Sequence, residues 1–207
     1  PSLAYEVNVK NMKNFIKEIA SRKIKPIFFS SESVFDGIKG MYNELDIPKP
    51  IFEYGFFKRE VENYIIKNFN NYIIFRLSKV FDSDYNNETL ITSWLNKILI
   101  KDDITCADDN LFSPIHINDL LEIVLKIYNI KNTKGIYHIS SNEHLNRKDM
   151  LLALINQIPK NFQIKSKIKF QSLHKFQNAE SQPLNTTLDS SKIINQLNFT
   201  PSNLSYW

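Results

Sequence analysis

Two short apolar runs constrain this chain more than any other feature. Pro26-Ile27-Phe28-Phe29-Ser30 is apolar at successive positions, bounded by polar residues and too short for a helix. That is the pattern of a strand covered on both faces. Tyr72-Ile73-Ile74-Phe75-Arg76-Leu77 repeats it. Each run follows a stretch with helical spacing: Ala4, Val7, Met12, Phe15, Ile16 and Ile19 in residues 4–20, then Phe57, Val61, Tyr64, Ile65 and Phe69 in residues 54–69. Helix, buried strand, helix, buried strand is the alternation of an α/β fold. The reading is half of a doubly wound parallel sheet.

Between the two units, residues 31–53 have no clear period and contain Asp36-Gly37, Gly40, Pro48 and Pro50. A loop of that length inside a compact domain is usually functional. Beyond Val80-Phe81, the polar run Asp82 to Glu88 reads as a loop and Thr89 to Ile100 as a helix. A short strand is expected at Ile104-Thr105-Cys106, and a helix capped by Asn118 or Asp119 running to about Tyr128. Gly135 to Ser140 reads as a strand and Arg147 to Ile158 as a helix stopped by Pro159. Then come a lysine-bearing strand, a polar loop to Leu188 and a short helix near Ser190 to Leu197.

Composition excludes several functions. An apolar fraction of 43% suits a chain with a real core rather than a disordered one. The net charge is only +4, and the locally basic stretch Lys160 to Lys175 interleaves Ile164, Ile168 and Phe170. It reads as a half-buried strand with lysines in water, not as a nucleic-acid patch. No run approaches the ~18 apolar residues of a membrane span, and the first residues lack the regions of a secretion signal. A single cysteine, Cys106, forms no intrachain disulfide, so a reducing, cytoplasmic setting is expected. The four histidines lack metal-ligand spacing, and Asp102-Asp103 and Asp108-Asp109 read as solvated loop charges, so no metal is expected. The four glycines, Gly37, Gly40, Gly55 and Gly135, cannot build a phosphate-cradling loop.

The chemistry concentrates where the first buried strand ends and the second helix begins. Tyr54 and Lys58 stand four apart, so they share a helix face. An ammonium near a phenol favours phenolate and would lower a pKa of about 10 toward neutrality, fitting the tyrosine for general acid or base work. The Ser31 hydroxyl at the strand end would bond the same substrate oxygen. Alone, this spacing occurs in many helices by chance.

Its context resembles the extended short-chain dehydrogenase/reductases, and within them the dTDP-4-dehydrorhamnose reductase family. The carriers are Ala4-Tyr5-Glu6-Val7-Asn8; Ser30-Ser31-Glu32-Ser33-Val34-Phe35-Asp36-Gly37; Tyr42-Asn43-Glu44; and Pro50 through Tyr54-Gly55, Lys58 and Glu62. Arg76 to Phe81, Ser113-Pro114, Asp119-Leu120, Gly135 to His138 and Pro183 to Leu188 extend the match more loosely. The resemblance implies a Rossmann-like doubly wound sheet, its C-terminal half present, with a smaller α+β substrate-binding region. Residues 1–83 would hold the second half of the NAD(P)-binding domain, and residues 84–207 the substrate region, with 114–141 returning to the sheet. It implies reduction of the 4-keto group of a nucleotide-linked deoxy-sugar using NADPH or NADH. Tyr54 would donate the proton, Lys58 would tune it and bind the nicotinamide ribose, and Ser31 would hold the carbonyl. Asn8 would occupy the proton-relay position, and Glu32 and Lys79 would touch substrate. A homodimer through helices 4–20 and 54–69 is implied by analogy.

Departures from the family bear on this. Ser31 stands for threonine, Glu32 for aspartate, Lys79 for tryptophan, Gln182 for arginine and Phe112 for glycine. The glycine-rich half that holds the cofactor diphosphate is not in these residues, and a fragment of a longer chain is the favoured explanation. A non-catalytic subunit that holds nucleotide or a partner protein is the alternative, with an epimerase or dehydratase a third.

Overall fold

The structure, a computed structural model, describes residues 2–82, 84, 89–176 and 182–204. Most of the loop expected at 82–88, and residues 177–181 of the polar loop before Leu188, lie outside the described residues. The first helix starts as α1 (Leu3–Tyr5), passes through a π-helical turn (Glu6–Asn11) and continues as α2 (Met12–Ser21). Next come β1 (Ile27–Ser31), a 3-10 turn (Glu32–Val34), the long loop, α3 (Glu53–Asn68) and β2 (Ile73–Leu77). They are followed by β3 (Val80–Phe81), α4 (Leu90–Ile100), β4 (Ile104–Ala107), β5 (Leu111–Phe112), β6 (Ile115–His116) and α5 (Ile117–Asn129). The rest is β7 (Gly135–Ile139), β8 (Leu145–Asn146), α6 (Arg147–Gln157), β9 (Ile168–Gln171) and α7 (Ser191–Leu197).

One expected cap is corrected. α5 is capped by neither Asn118 nor Asp119 but by His116, whose Nδ1 accepts the Asn118 N–H at 3.2 Å. Asp119 instead accepts the Ser202 N–H at 2.8 Å, tying the chain end to the helix. The lysine-bearing strand is shorter than its pattern suggested. Only Ile168–Gln171 pairs, parallel to β4, with Lys169 facing water as expected.

The main sheet has the order β1-β2-β7, and both pairings are parallel. Alternation along the central strand explains the layers. Ile73 and Phe75 point to α5 and α7, joining Leu120, Ile123, Ile127 and Ile193. Ile74 points the other way, to Val9, Ile16, Val61 and Ile65 on the helices of the opposite face. This is the α/β architecture read from the two apolar runs. A third cluster, including Trp94, Ile98, Ile104 and Leu151, is built by α4, α6 and the β4–β9 pair.

Arg76 shares the face of Ile74 and would be a buried cation without partners; it is 1% exposed. Its Nε and Nη2 donate to the two oxygens of Glu62 at 3.0 and 2.8 Å, and Ser30 Oγ donates to the same carboxylate at 2.6 Å. A third contact, Arg76 Nη1 to His138 Nε2 at 3.3 Å, fixes the histidine. His138 Nδ1 lies 2.9 Å from the Tyr42 carbonyl, which only accepts, so Nδ1 carries the proton and Nε2 is bare. Burial first, and the adjacent Arg76 cation second, push the His138 pKa down from 6.5 to about 3. A base whose folded pKa is depressed binds protons better when unfolded, so its contribution to stability is complete above pH 6.5 and shrinks as pH falls toward 3. The thermal midpoint should therefore drop between pH 7 and pH 5. His138→Asn, which keeps a donor for the Tyr42 carbonyl but cannot titrate, should flatten that drop. His116, shifted down by burial in the same sense, leaves a residual slope.

Candidate active site

β1 ends because Ser31 turns the chain. Its Oγ accepts the Ser33 N–H at 3.2 Å, capping the 3-10 turn. That turn swings Glu32 inward, where it is 7% exposed and accepts the Ser78 hydroxyl at 2.6 Å. The first turn of α3 packs against the same 3-10 turn, and Gly55 is what allows the approach. A Cβ there would stand 2.1 Å from the Ser33 carbonyl oxygen and 2.9 Å from Pro50 Cβ. The glycine beside Tyr54 thus lets the first turn of α3 lie against the turn that follows Ser31.

Ser31, Glu32, Tyr54 and Lys79 line one cavity of about 430 Å³, within the range of small-ligand sites. Lys58 stands behind its rim, half-buried. Its Nζ donates to the Phe29 carbonyl at 2.9 Å and lies 5.0 Å from the Phe28 ring centre and 5.5 Å from that of Tyr54. Asn8 stands apart. It is exposed on the π-helical turn, and its Nδ2 donates to the Ala4 carbonyl at 3.0 Å.

The expected electrostatics of the pair are corrected. The Tyr54 phenol is held above its ordinary value, by burial and then by the Glu32 carboxylate. Lys58 is pushed down by burial, and its ammonium is committed to a carbonyl rather than to the phenol. The i, i+4 spacing put both side chains on one face, but shared face is not hydrogen-bond contact. Burial also raises the Glu32 carboxyl, with Lys79 and the Ser78 bond pulling against it.

Sequence reasoning missed two members of the cavity wall, Asn110 and Arg147. A signal for Arg147 existed: it opens α6 at the positive end of the helix dipole, where a cation is disfavoured. For Asn110, in a turn, there was none. Phe112, Lys79 and Gln182, three positions where the chain departs from its family, all face this cavity. Gln182 and Thr186 are brought there because residues 182–189 return to the long loop, with Tyr42 N–H on the Thr187 carbonyl and Asp189 N–H on the Tyr42 carbonyl.

A nicotinamide dinucleotide is the cofactor that the resemblance implies, and Tyr54 and Lys58 are the residues that would meet its nicotinamide ribose. Among the described residues, the glycines build no cradle for its diphosphate. Gly37 and Gly40 adopt positive φ and would carry a Cβ into Pro183 and Asn185, Gly55 meets Ser33, and Gly135 opens β7 at φ +103°.

The RmlD substrate binding domain model matches residues 1–206. The chain belongs to this family. It is 27% identical over 199 residues to methionine adenosyltransferase 2 subunit beta of Xenopus laevis, an alignment covering 93% of this chain and 58% of that protein. The chain thus spans little more than half the length of the curated relatives it matches. Among solved structures it resembles a dTDP-4-dehydrorhamnose reductase from Bacillus anthracis in complex with NADP. That match has a TM-score of 0.87 at 20% identity, over 99% of this chain and 70% of that one. A hypothetical dTDP-4-dehydrorhamnose reductase from Sulfolobus tokodaii gives 0.81 at 22% identity, over 97% and 69%. The fold is that of sugar-nucleotide reductases. Among the described residues no helix is long and apolar enough to cross a membrane.

Proposed function

We propose that this chain is the substrate-binding and proton-donating part of an NAD(P)-dependent reductase acting on the 4-keto group of a nucleotide-linked deoxy-sugar. The observation that carries the reading is the convergence of Ser31 and Tyr54 on one cavity wall, with Lys58 one helical turn behind. The nicotinamide, when bound, supplies hydride to the carbonyl carbon. Ser31 Oγ and Tyr54 Oη together hold the carbonyl oxygen and polarise it. The oxygen gains charge as the carbon is reduced, and Tyr54 passes it the phenolic proton. A phenol held above its ordinary pKa keeps that proton through neutral pH, which suits the reductive direction. Lys58, fixed by the Phe29 carbonyl, presents its ammonium to the ribose side of the tyrosine. Glu32 and Lys79 orient the sugar.

A second reading rests on the curated relatives. They are named as beta subunits of methionine adenosyltransferase 2, and the departures at Lys79, Phe112 and Gln182 all line the cavity. On that reading the fold holds nucleotide and a partner, and reduces nothing. One assay separates them. A full-length protein carrying this chain is given NADPH or NADH with dTDP-4-dehydrorhamnose, and separately mixed with a methionine adenosyltransferase catalytic subunit. Steady loss of nicotinamide absorbance that requires the sugar is expected. No oxidation, together with altered adenosyltransferase kinetics, would replace the first reading with the second.

A further inference from the structure

Two buried side-chain polar atoms lack a hydrogen-bond partner among the described residues: Asn110 Oδ1 and Arg147 Nε. Both residues line the cavity that holds Ser31 and Tyr54. Asn110 is 6% exposed, so its carbonyl oxygen has no access to bulk solvent. A buried acceptor or donor left without a partner is destabilising, more so when the group is charged. Two such atoms on one wall mark a place that something else completes.

Among the described residues, nothing accepts the Arg147 Nε–H. The nearby Glu32 attracts it electrostatically, but no ion pair within 4.0 Å joins them, and Glu32 Oε2 is already taken by Ser78. The Nε–H and an Nη–H of a guanidinium form a fork that matches two oxygens of a phosphate or carboxylate. An amide oxygen such as Asn110 Oδ1 asks for the opposite, an O–H or N–H donor. One ligand therefore needs an oxyanion and, beside it, a hydroxyl. A sugar linked to phosphate carries both.

We infer that Arg147 and Asn110 form a paired subsite, Arg147 gripping a phosphate of the nucleotide-sugar diphosphate and Asn110 accepting a hydroxyl of the attached sugar. The inference rests on the nucleotide-sugar reading above and assigns residues to it. Lys79, facing Glu32 across the cavity wall, offsets the one buried carboxylate there, so the anion meets a net positive surface. Gln182, where the family carries arginine, contributes no charge, and Arg147 supplies the cation instead.

Calorimetric titration of the full-length protein tests this with two probes, dTDP-glucose and inorganic pyrophosphate. Arg147→Gln should weaken both by roughly tenfold or more, the usual loss for a hydrogen bond to a charged group. Asn110→Ala should weaken dTDP-glucose and spare pyrophosphate, which has no sugar hydroxyl to offer. Arg147→Lys keeps the charge without the fork and should fall between wild type and Arg147→Gln. It also covers the case in which Arg147→Gln fails to fold, checked by the melting midpoint. Unchanged affinity of the folded Arg147 variants for dTDP-glucose would overturn the subsite and leave the nucleotide-sugar reading standing. Arg147-dependent pyrophosphate binding with no binding of dTDP-glucose would support the anion site and sink the nucleotide-sugar reading. Binding of neither probe by the wild-type protein would overturn both.

Discussion

Tyr54→Phe in the full-length protein should lower reductive turnover by about 10²- to 10⁴-fold, the usual worth of a positioned general acid. The fold should barely notice. Tyr54 is 44% exposed, and its ring rests against Phe52 at 6.4 Å. Its hydroxyl makes no hydrogen bond among the described residues, so deleting it orphans nothing. Affinity for dTDP-glucose, the melting midpoint and the circular dichroism spectrum should all stay near wild type while kcat collapses. The pH profile carries the sign. Because burial and Glu32 hold the phenol above its ordinary pKa, the protonated donor persists across neutral pH. Reduction should therefore be flat there and decline only in alkaline solution. A profile already falling at neutral pH would mean that cofactor binding pulls Lys58 onto the phenol and lowers it after all. Near-normal turnover by Tyr54→Phe would remove the tyrosine from the chemistry.

The fold was legible where burial is two-sided. β2 is covered on both faces and wrote itself as an apolar run; β1 carries the same kind of run but is buried only on the side of Phe28 and Ser30, with Phe29 44% exposed. The helices wrote themselves as stripes of period 3.6. Local chemistry was harder. His116 caps α5 with an imidazole nitrogen, a residue type seldom sought at that position, while the acid that looked like the cap, Asp119, holds a backbone N–H eighty-three residues away. The site divides in the same way. Ser31, Glu32, Tyr54 and Lys79 follow strand ends and a helix start, positions where α/β sheets place their ligands, so the sequence marked them as candidates and the fold brings them to one cavity. Asn110 and Arg147 come from a turn and from the start of α6, outside the main sheet, and only the folded chain brings them to the same wall. The sign of the Tyr54 shift was illegible for another reason. Spacing reports which face a side chain occupies, whereas burial depends on everything packed around it.

Glu62→Ala should be the most damaging single change to stability, costing about 3–5 kcal/mol, the loss typical of stripping one partner from a buried ion pair. Glu62 is fully buried and gathers Arg76, Ser30 and a longer contact from Arg59 at 3.3 Å. Removing it strands a guanidinium that is 1% exposed, with the bare Nε2 of His138 and the Phe35 ring, 5.2 Å away, beside it but no counter-charge as close. For a chain of this size the penalty corresponds to a fall in melting midpoint of roughly 10 °C. The pair's net worth is a different quantity from the cost of breaking it. Desolvating both charges consumes most of what their attraction returns, so Glu62→Leu combined with Arg76→Met should recover much of the loss. If the double variant melts as low as Glu62→Ala, the ion pair is worth more than its desolvation cost. If Glu62→Ala melts near wild type, water reaches Arg76 and the layer between α3 and the sheet is not dry. A middle result has its own meaning. Ser30, one residue before Ser31, donates to Glu62, so losing the carboxylate also frees the end of β1. A double variant restored in melting temperature but not in kcat would show that the ion pair holds the β1 end, and with it Ser31, in register with Tyr54.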